Sequence, residues 1–289
     1  MTGPAAVELR HLTKDFAPGI GRKRWRALDD VTLSVAPGEF FGLLGPNGSG
    51  KSTALKLLLD LLWPTRGEGL MFGIPCTRAA ARAEVGYLPE FPHFPRHLGA
   101  RELLHFHGGL CGLRGERLRA RTEQLLRWSG LDAAGARPAG AYSKGMLQRL
   151  GLVQALVPEP RLLLLDEPLA GLDRTGREEM MALLLQLRAA GATIVMVSHE
   201  LEEIERHGDR VAVLHRGHLV WEGRPDDLPG RAGRQSLTVD ALQPEELAEL
   251  EAWLGARGHH LREVGAPRAD LGPLLVRTDA GASGGRADR

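Results

Sequence analysis

"FFGLLGPNGSGKSTALKLLLDLL", Phe40–Leu62, is the stretch that decides the fold. Its opening residues, Phe40–Leu44, run apolar almost without a break, as in a strand buried on both faces. A glycine-rich turn follows at once. Apolar residues then recur at helical spacing over 52–62, and the pattern stops before Pro64. Strand, glycine loop and helix form the setting in which G-x-x-x-x-G-K-[ST] reads as a phosphate loop. Gly45, Pro46, Asn47, Gly48, Ser49, Gly50, Lys51, Ser52 and Thr53 fill that pattern here. Glycines let backbone N–H groups curl around phosphate oxygens, and the helix start adds positive potential. Lys51 suits the β- and γ-phosphates, and the Ser52 hydroxyl suits Mg²⁺. A glycine turn without a ligand is the plainer alternative, but the strand before it and the helix after it argue against that.

The same grammar returns twice. "RLLLLDEP", 161–168, and "ATIVMVSHE", 192–200, are buried strands that run into polar residues at their carboxyl ends. A parallel α/β sheet with its chemistry at the strand ends is the expected layout. Asp166 can then hold Mg²⁺ opposite Ser52, directly or through water. Glu167, one residue on, points at different space and can polarise an attacking water. His199 ends the next strand and can reach the γ-phosphate. A lone acidic pair could equally cap a helix, and a lone His is usually unremarkable. Their shared sheet edge favours the functional reading.

Other segments fill in the frame. "AVELRHLTKDF", 6–16, and "VTLSVAPGE" alternate as half-buried strands of a small antiparallel sheet, with "GIGRKRWRA" as a loop between them. Helical spacing dominates roughly 98–157. "RVAVLHRGHLVWEGRP", 210–225, reads as a hairpin turning near Arg216-Gly217. A composition break at 225–235 precedes a strand–helix–strand pattern, and 279–289 has nothing to pack.

A second helix start stands at "AYSKGMLQRLGLVQAL", 141–156. Ser143 is a good N-cap, and Gly145 permits close approach of an oxygen. Alone this is an ordinary capped helix. With the other motifs, the chain resembles the ATP-binding subunit of an ABC transporter over about 6–230. "YSKGM" stands where that family has Leu-Ser-Gly-Gly-Gln. The resemblance implies that this loop, with Ser143 and Gly145, closes over the ATP held by a second subunit. It implies that Phe16 stacks on adenine. It also makes "AGLD", 170–173, a loop crossing the dimer interface, with Asp173 as its acid. "GYLPE", 86–90, matches the switch loop, where Glu90 replaces the usual Gln, preserves an oxygen ligand for Mg²⁺ and water, and adds a charge. Lys144 and Met146 depart from the signature. These features resemble the exporter branch, which moves drugs, lipids or polysaccharides.

The implied fold is α/β: a P-loop NTPase parallel sheet with an N-terminal antiparallel β-subdomain and a helical insertion (about 91–160) within a cassette over 5–230. A small α+β C-terminal domain over 234–278 and a disordered tail over 279–289 would follow. The implied activity is ATP hydrolysis with ATP and Mg²⁺. Glu167, His199 and Glu90 would be catalytic, and Ser52, Asp166 and Glu90 would hold the metal. The implied partners are a second ATPase subunit and an integral membrane permease.

Composition sets limits on rival readings. The 37 basic and 36 acidic residues leave a net charge of +1, unlike a nucleic-acid binder, so no nucleic-acid partner is expected. The basic run 21–26 reads as a solvated loop. Two cysteines without metal-ligand spacing suit a reducing compartment. No signal pattern opens the sequence, and no apolar run approaches the ~18 residues that span a bilayer. The expected location is cytoplasmic, peripheral on the membrane's cytoplasmic face through the permease. A soluble ATPase of this type acting on nucleic acid or ribosomes would need a second cassette or a heptad run between Lys51 and Asp166, and neither is evident. An importer subunit differs only in its signature and C-terminal features. His93, His97, His105 and His107 could suggest a metal site, but His105 and His107 sit two apart on a predicted helix and face different sides. "FPHFPRHL", 91–98, fits better as a surface for a membrane partner's helix.

Overall fold

The computed structural model describes residues 3–17 and 24–228. Expectations for 234–278 and 279–289 lie outside the described residues. The first strands are β1 (Val7–Phe16) and β2 (Trp25–Val35), which pair antiparallel. β3 (Phe40–Leu44) leads through the glycine loop into α1 (Lys51–Leu58). β4 (Arg66–Met71) and β5 (Ile74–Pro75) return to the first sheet, giving it the order β2-β1-β4-β5.

β6 (Val85–Leu88) opens onto the helical insertion of α2 (Ala100–Leu110), α3 (Gly115–Trp128) and α4 (Lys144–Leu156). β7 (Leu162–Asp166), α5 (Arg174–Ala189), β8 (Thr193–Ser198) and α6 (Glu202–His207) follow. The hairpin of β9 (Arg210–His215) and β10 (His218–Gly223) comes last. The second sheet has the order β10-β9-β3-β8-β7-β6 and is parallel except at β10. These strands and helices all lie within a unit that spans Met1–Pro225.

The central parallel strands β3, β7 and β8 are buried along their whole length and are apolar except at Asp166, Thr193 and Ser198, because both of their faces are covered. Leu163 and Leu165 of β7, with Ile194 and Met196 of β8, join a core made with α2, α3, α4 and α5. The alternate residues Leu162, Leu164, Val195 and Val197 join a second core with α1 and the antiparallel sheet. The period of two along each strand thus feeds two cores. Each fully buried Leu contributes about 1.5–3 kcal/mol by leaving water.

Two boundaries differ from the sequence reading, and two strands are additional. The helix expected over 52–62 ends at Leu58. Asp60 turns left-handed (φ 59°), and the Leu61 N–H bonds back to the Lys56 carbonyl at 2.9 Å. That bond is the six-to-one closure of a Schellman stop, so the apolar spacing outlasts the helix. The loop expected to include Trp25 is already strand there, because Phe16 pairs with Trp25 across the ladder. β4 and β5 add two strands that the sequence reading did not contain. The hairpin turns where expected: Arg216 and Gly217 both have positive φ, as a two-residue turn of the primed type requires.

Candidate nucleotide site

β3 ends at Leu44, and the chain then bends where a side chain would not fit. A Cβ on Gly45 (φ 152°) would lie 2.2 Å from the Leu214 carbonyl oxygen. A Cβ on Gly50 (φ 111°) would lie 2.5 Å from the Ala27 carbonyl oxygen. Gly50 is the N-cap of α1, no side chain caps that end, and its first turn carries no acid. The uncompensated N–H groups and the helix dipole there attract an anion.

Lys51 is buried at 5% exposure, and its ammonium donates to the Gly45 carbonyl at 2.7 Å and the Pro46 carbonyl at 3.2 Å. Burial pushes its pKa down, against the opposing pull of Glu167, Asp166 and Glu90. The Ser52 hydroxyl donates to Asp166 Oδ1 at 2.9 Å. Lys51 Nζ stands 3.9 Å from Glu167 Oε1, and His199 Nδ1 lies 2.9 Å from Glu167 Oε2. Three strand ends, of β3, β7 and β8, therefore place their polar residues together.

Burial pushes the Asp166 and Glu167 carboxyls above their ordinary pKa values; Ser52 opposes the first shift and His199 the second. Glu167 adopts a left-handed backbone (φ 50°), sparsely populated for a residue with a side chain. Such strain costs about 1–3 kcal/mol and clusters at functional sites. Here it turns the chain just after β7, while the Glu167 N–H stays bonded to the Val197 carbonyl of β8 at 3.0 Å.

A cleft of about 340 Å³ is lined by Phe16, Asn47–Thr53, Glu90, Glu167 and His199, together with Trp25 and Ala27. Sequence reasoning missed the last two. Asp29 and Asp30 interrupt the alternation of 31–35, and the basic residues before them read as a loop. Phe16 does not stand free: its ring stacks on that of Trp25, centroids 4.9 Å apart.

Ser52 and Asp166 offer oxygen donors 2.9 Å apart, a set that fits Mg²⁺, which takes one or two protein oxygens and completes its shell with phosphate and water. Among the described residues, no group of three or more His, Cys, Asp or Glu is arranged to hold a metal ion.

Ser143, Gly145 and Asp173 do not line this cleft. Ser143 caps α4, its Oγ accepting from the Met146 N–H at 3.2 Å. Asp173 caps α5, accepting from the Gly176 N–H at 2.9 Å. The two helix starts are neighbours: the Lys144 side chain lies over Gly171, and Gly145 faces Leu172. A second cavity, of about 460 Å³, lies between the 90–96 segment and the start of α4. Glu90 lines both cavities, and its carbonyl accepts from Gln148 Nε2 of α4 at 2.9 Å.

Known proteins resemble this chain in sequence and fold. An ABC transporter family matches residues 28–170. An uncharacterized ABC transporter ATP-binding protein of Nostoc sp. is 43% identical over 230 residues, covering 78% of this chain and 69% of that protein. The Nod factor export ATP-binding protein I of Sinorhizobium fredii is 36% identical over 248 residues, covering 85% of this chain and 71% of that protein. Among solved structures, a dimeric ATP-binding cassette in a post-hydrolysis state, bound to ADP and Pi, superposes with a TM-score of 0.69. It is 28% identical, covering 76% of this chain and 98% of that one. With its phosphate loop, strand-end carboxylates and two-sheet architecture, this chain belongs to the ATP-binding subunits of ABC transporters, ATPases whose hydrolysis is coupled to transport.

Proposed function

We propose that this subunit pairs head to tail with a second ATPase subunit around two Mg-ATP and drives a separate membrane permease in export. The observation that carries the reading is the division of the polar helix starts. One, at Lys51, opens into the cleft with Glu167 and His199; the other, at Ser143, lies outside it beside the Asp173 loop. Half a cage in each copy is the arrangement a closed dimer completes. The export name of the Sinorhizobium relative supports the direction of transport. No helix among the described residues is long and apolar enough to cross a membrane, which supports a separate permease.

In this reading Lys51 and the N–H groups of the loop hold the β- and γ-phosphates. Mg²⁺, held by Ser52 and Asp166 with Glu90 nearby, would neutralise charge on the phosphates. Glu167 takes the proton of the attacking water; its raised pKa brings it closer to the neutral range in which a base works well. His199 holds the Glu167 carboxylate and faces the phosphate side. Phe16 belongs to the adenine end. Ser143, Gly145 and Asp173 of one copy complete the cage of the other. Glu90 links the cleft to the second cavity, where Phe91, Phe94 and Leu147 offer an apolar seat for a permease helix.

Purification from a detergent extract tests the assignment. An integral membrane protein should copurify with the tagged chain. Copurification of ribosomes or RNA in its place would contradict it.

A further inference from the structure

His199 is flanked by two carboxylates. Its Nδ1 lies 2.9 Å from Glu167 Oε2, the contact that serves the site, and its Nε2 lies 3.9 Å from Glu200 Oε1. Glu200 is the next residue in the chain, in the connection between β8 and α6, where its N–H donates to the Ser198 hydroxyl at 3.0 Å. At 44% exposure the His199 side chain is not locked by packing. Unless one acid is held off, both attract the same ring.

Arg177 holds Glu200. It stands one turn into α5, its N–H bonded to the Asp173 carbonyl at 2.9 Å. Its guanidinium takes both oxygens of Glu200: Nη1 donates to Oε2, and Nη2 donates to Oε1 at 2.9 Å. Nε donates to the Leu172 carbonyl at 3.3 Å, which aims the planar fork. A two-pronged contact of this kind fixes a carboxylate's orientation as a point charge does not. Glu200 is the main cause of the raised Arg177 pKa, with Glu203 and Glu202 of α6 adding to it. The chain of contacts returns to its start, because the Ala170 N–H donates to the Glu167 carbonyl at 3.1 Å. The loop that aims Arg177 is thus tied to Glu167. Neither Arg177 nor Glu200 lines the nucleotide cleft. As a partly exposed ion pair, the two contribute little to stability.

We propose that Arg177 is a positioning residue for hydrolysis: by occupying the Glu200 carboxylate, it leaves the His199 ring to Glu167. It also compensates a negative charge that would otherwise oppose the γ-phosphate on the Nε2 side of the ring. The inference rests on the reading of Glu167 and His199 as the pair that acts in hydrolysis. Losing Arg177 alone releases Glu200 to compete for His199, whereas losing the charge of Glu200 as well removes the competitor.

The experiment is steady-state ATP turnover, with Mg²⁺ present, on the full chain and its Arg177→Gln, Glu200→Gln and doubly substituted Arg177→Gln/Glu200→Gln variants. Thermal unfolding of each variant checks the fold. Arg177→Gln should lower kcat by about 10- to 100-fold, the scale for a displaced catalytic group. KM for ATP should hold, since the pair lies outside the cleft and the loss falls on the transition state. Glu200→Gln should keep kcat close to that of the unaltered chain, and the double variant should regain most of what Arg177→Gln lost. That recovery separates the proposal from a merely structural ion pair, which would leave the double variant at least as impaired as Arg177→Gln. A double variant no more active than Arg177→Gln would therefore overturn the proposal, as would an Arg177→Gln loss in kcat of less than about twofold. Should Arg177→Gln not fold, Arg177→Lys takes its place, with the same recovery expected on adding Glu200→Gln. Full turnover in Glu167→Gln would bring down the reading of the hydrolytic pair itself. An inactive Glu167→Gln beside a normal Arg177→Gln would bring down only this inference.

Discussion

Replacing Glu167 by Gln changes charge with almost no change in shape. The amide can still accept from His199 across the 2.9 Å contact, and the left-handed turn at this residue tolerates either side chain equally. What goes is the negative charge 3.9 Å from the Lys51 ammonium and the ability to take a proton from water. Loss of a positioned general base costs about 10²–10⁴-fold in rate, or about 3–5 kcal/mol at 1.36 kcal/mol per decade. ATP affinity should move the other way or stay level, because Lys51 gives up a carboxylate competitor for its charge. Single-turnover hydrolysis with labelled ATP measures the chemical step, and equilibrium binding measures affinity separately. A fall in turnover of less than tenfold would show that Glu167 is not the base. A loss of ATP binding as large as the loss of turnover would show that its charge organises Lys51 instead.

Three further outcomes follow from the same geometry. Burial holds the Glu167 carboxyl above its ordinary value of 4.5, so the folded protein binds that proton more tightly than the unfolded chain does. The stabilisation is full below 4.5 and is lost as pH rises through the folded value, so Glu167→Gln should flatten the decline in denaturant stability of the nucleotide-free protein above that pH; an unchanged slope would contradict the burial argument. Leu164 is fully buried in the core shared with α1, so Leu164→Ala should cost about 2–5 kcal/mol in urea unfolding, and a loss below 1 kcal/mol would mean the core there can collapse. Ser143→Arg removes a cap worth about 1 kcal/mol and adds bulk at the α4 start; it should spare ATP binding by the monomer and block ATP-driven pairing, and unimpaired pairing would show that this helix start does not meet a partner's nucleotide.

Much of the fold could be read in the sequence because its central strands are sandwiched. "FFGLL", "LLLLD" and "TIVMVS" are apolar apart from Asp166, Thr193 and Ser198, and every residue in them is buried. β4 gave no such signal: "RGEGLM" has two glycines and its first three residues are exposed, since it is held by pairing with β1 rather than by burial. Trp25 was hidden by its neighbours, because the basic residues around it resemble a solvated loop while the ladder to Phe16 continues. Within the site, motif spacing and strand ends named Asn47–Thr53, Glu167 and His199, and the family resemblance named Phe16 and Glu90, while Trp25 and Ala27 went unnamed. Spacing could not supply the distances that make Glu167 a partner of both Lys51 and His199.

The most direct test of the central claim is the mass in solution of the Glu167→Gln protein saturated with Mg-ATP, by light scattering, alone and with its permease. The account predicts a dimer that forms with ATP and disperses with ADP. A strictly monomeric protein under both conditions, with ATP bound, would contradict it.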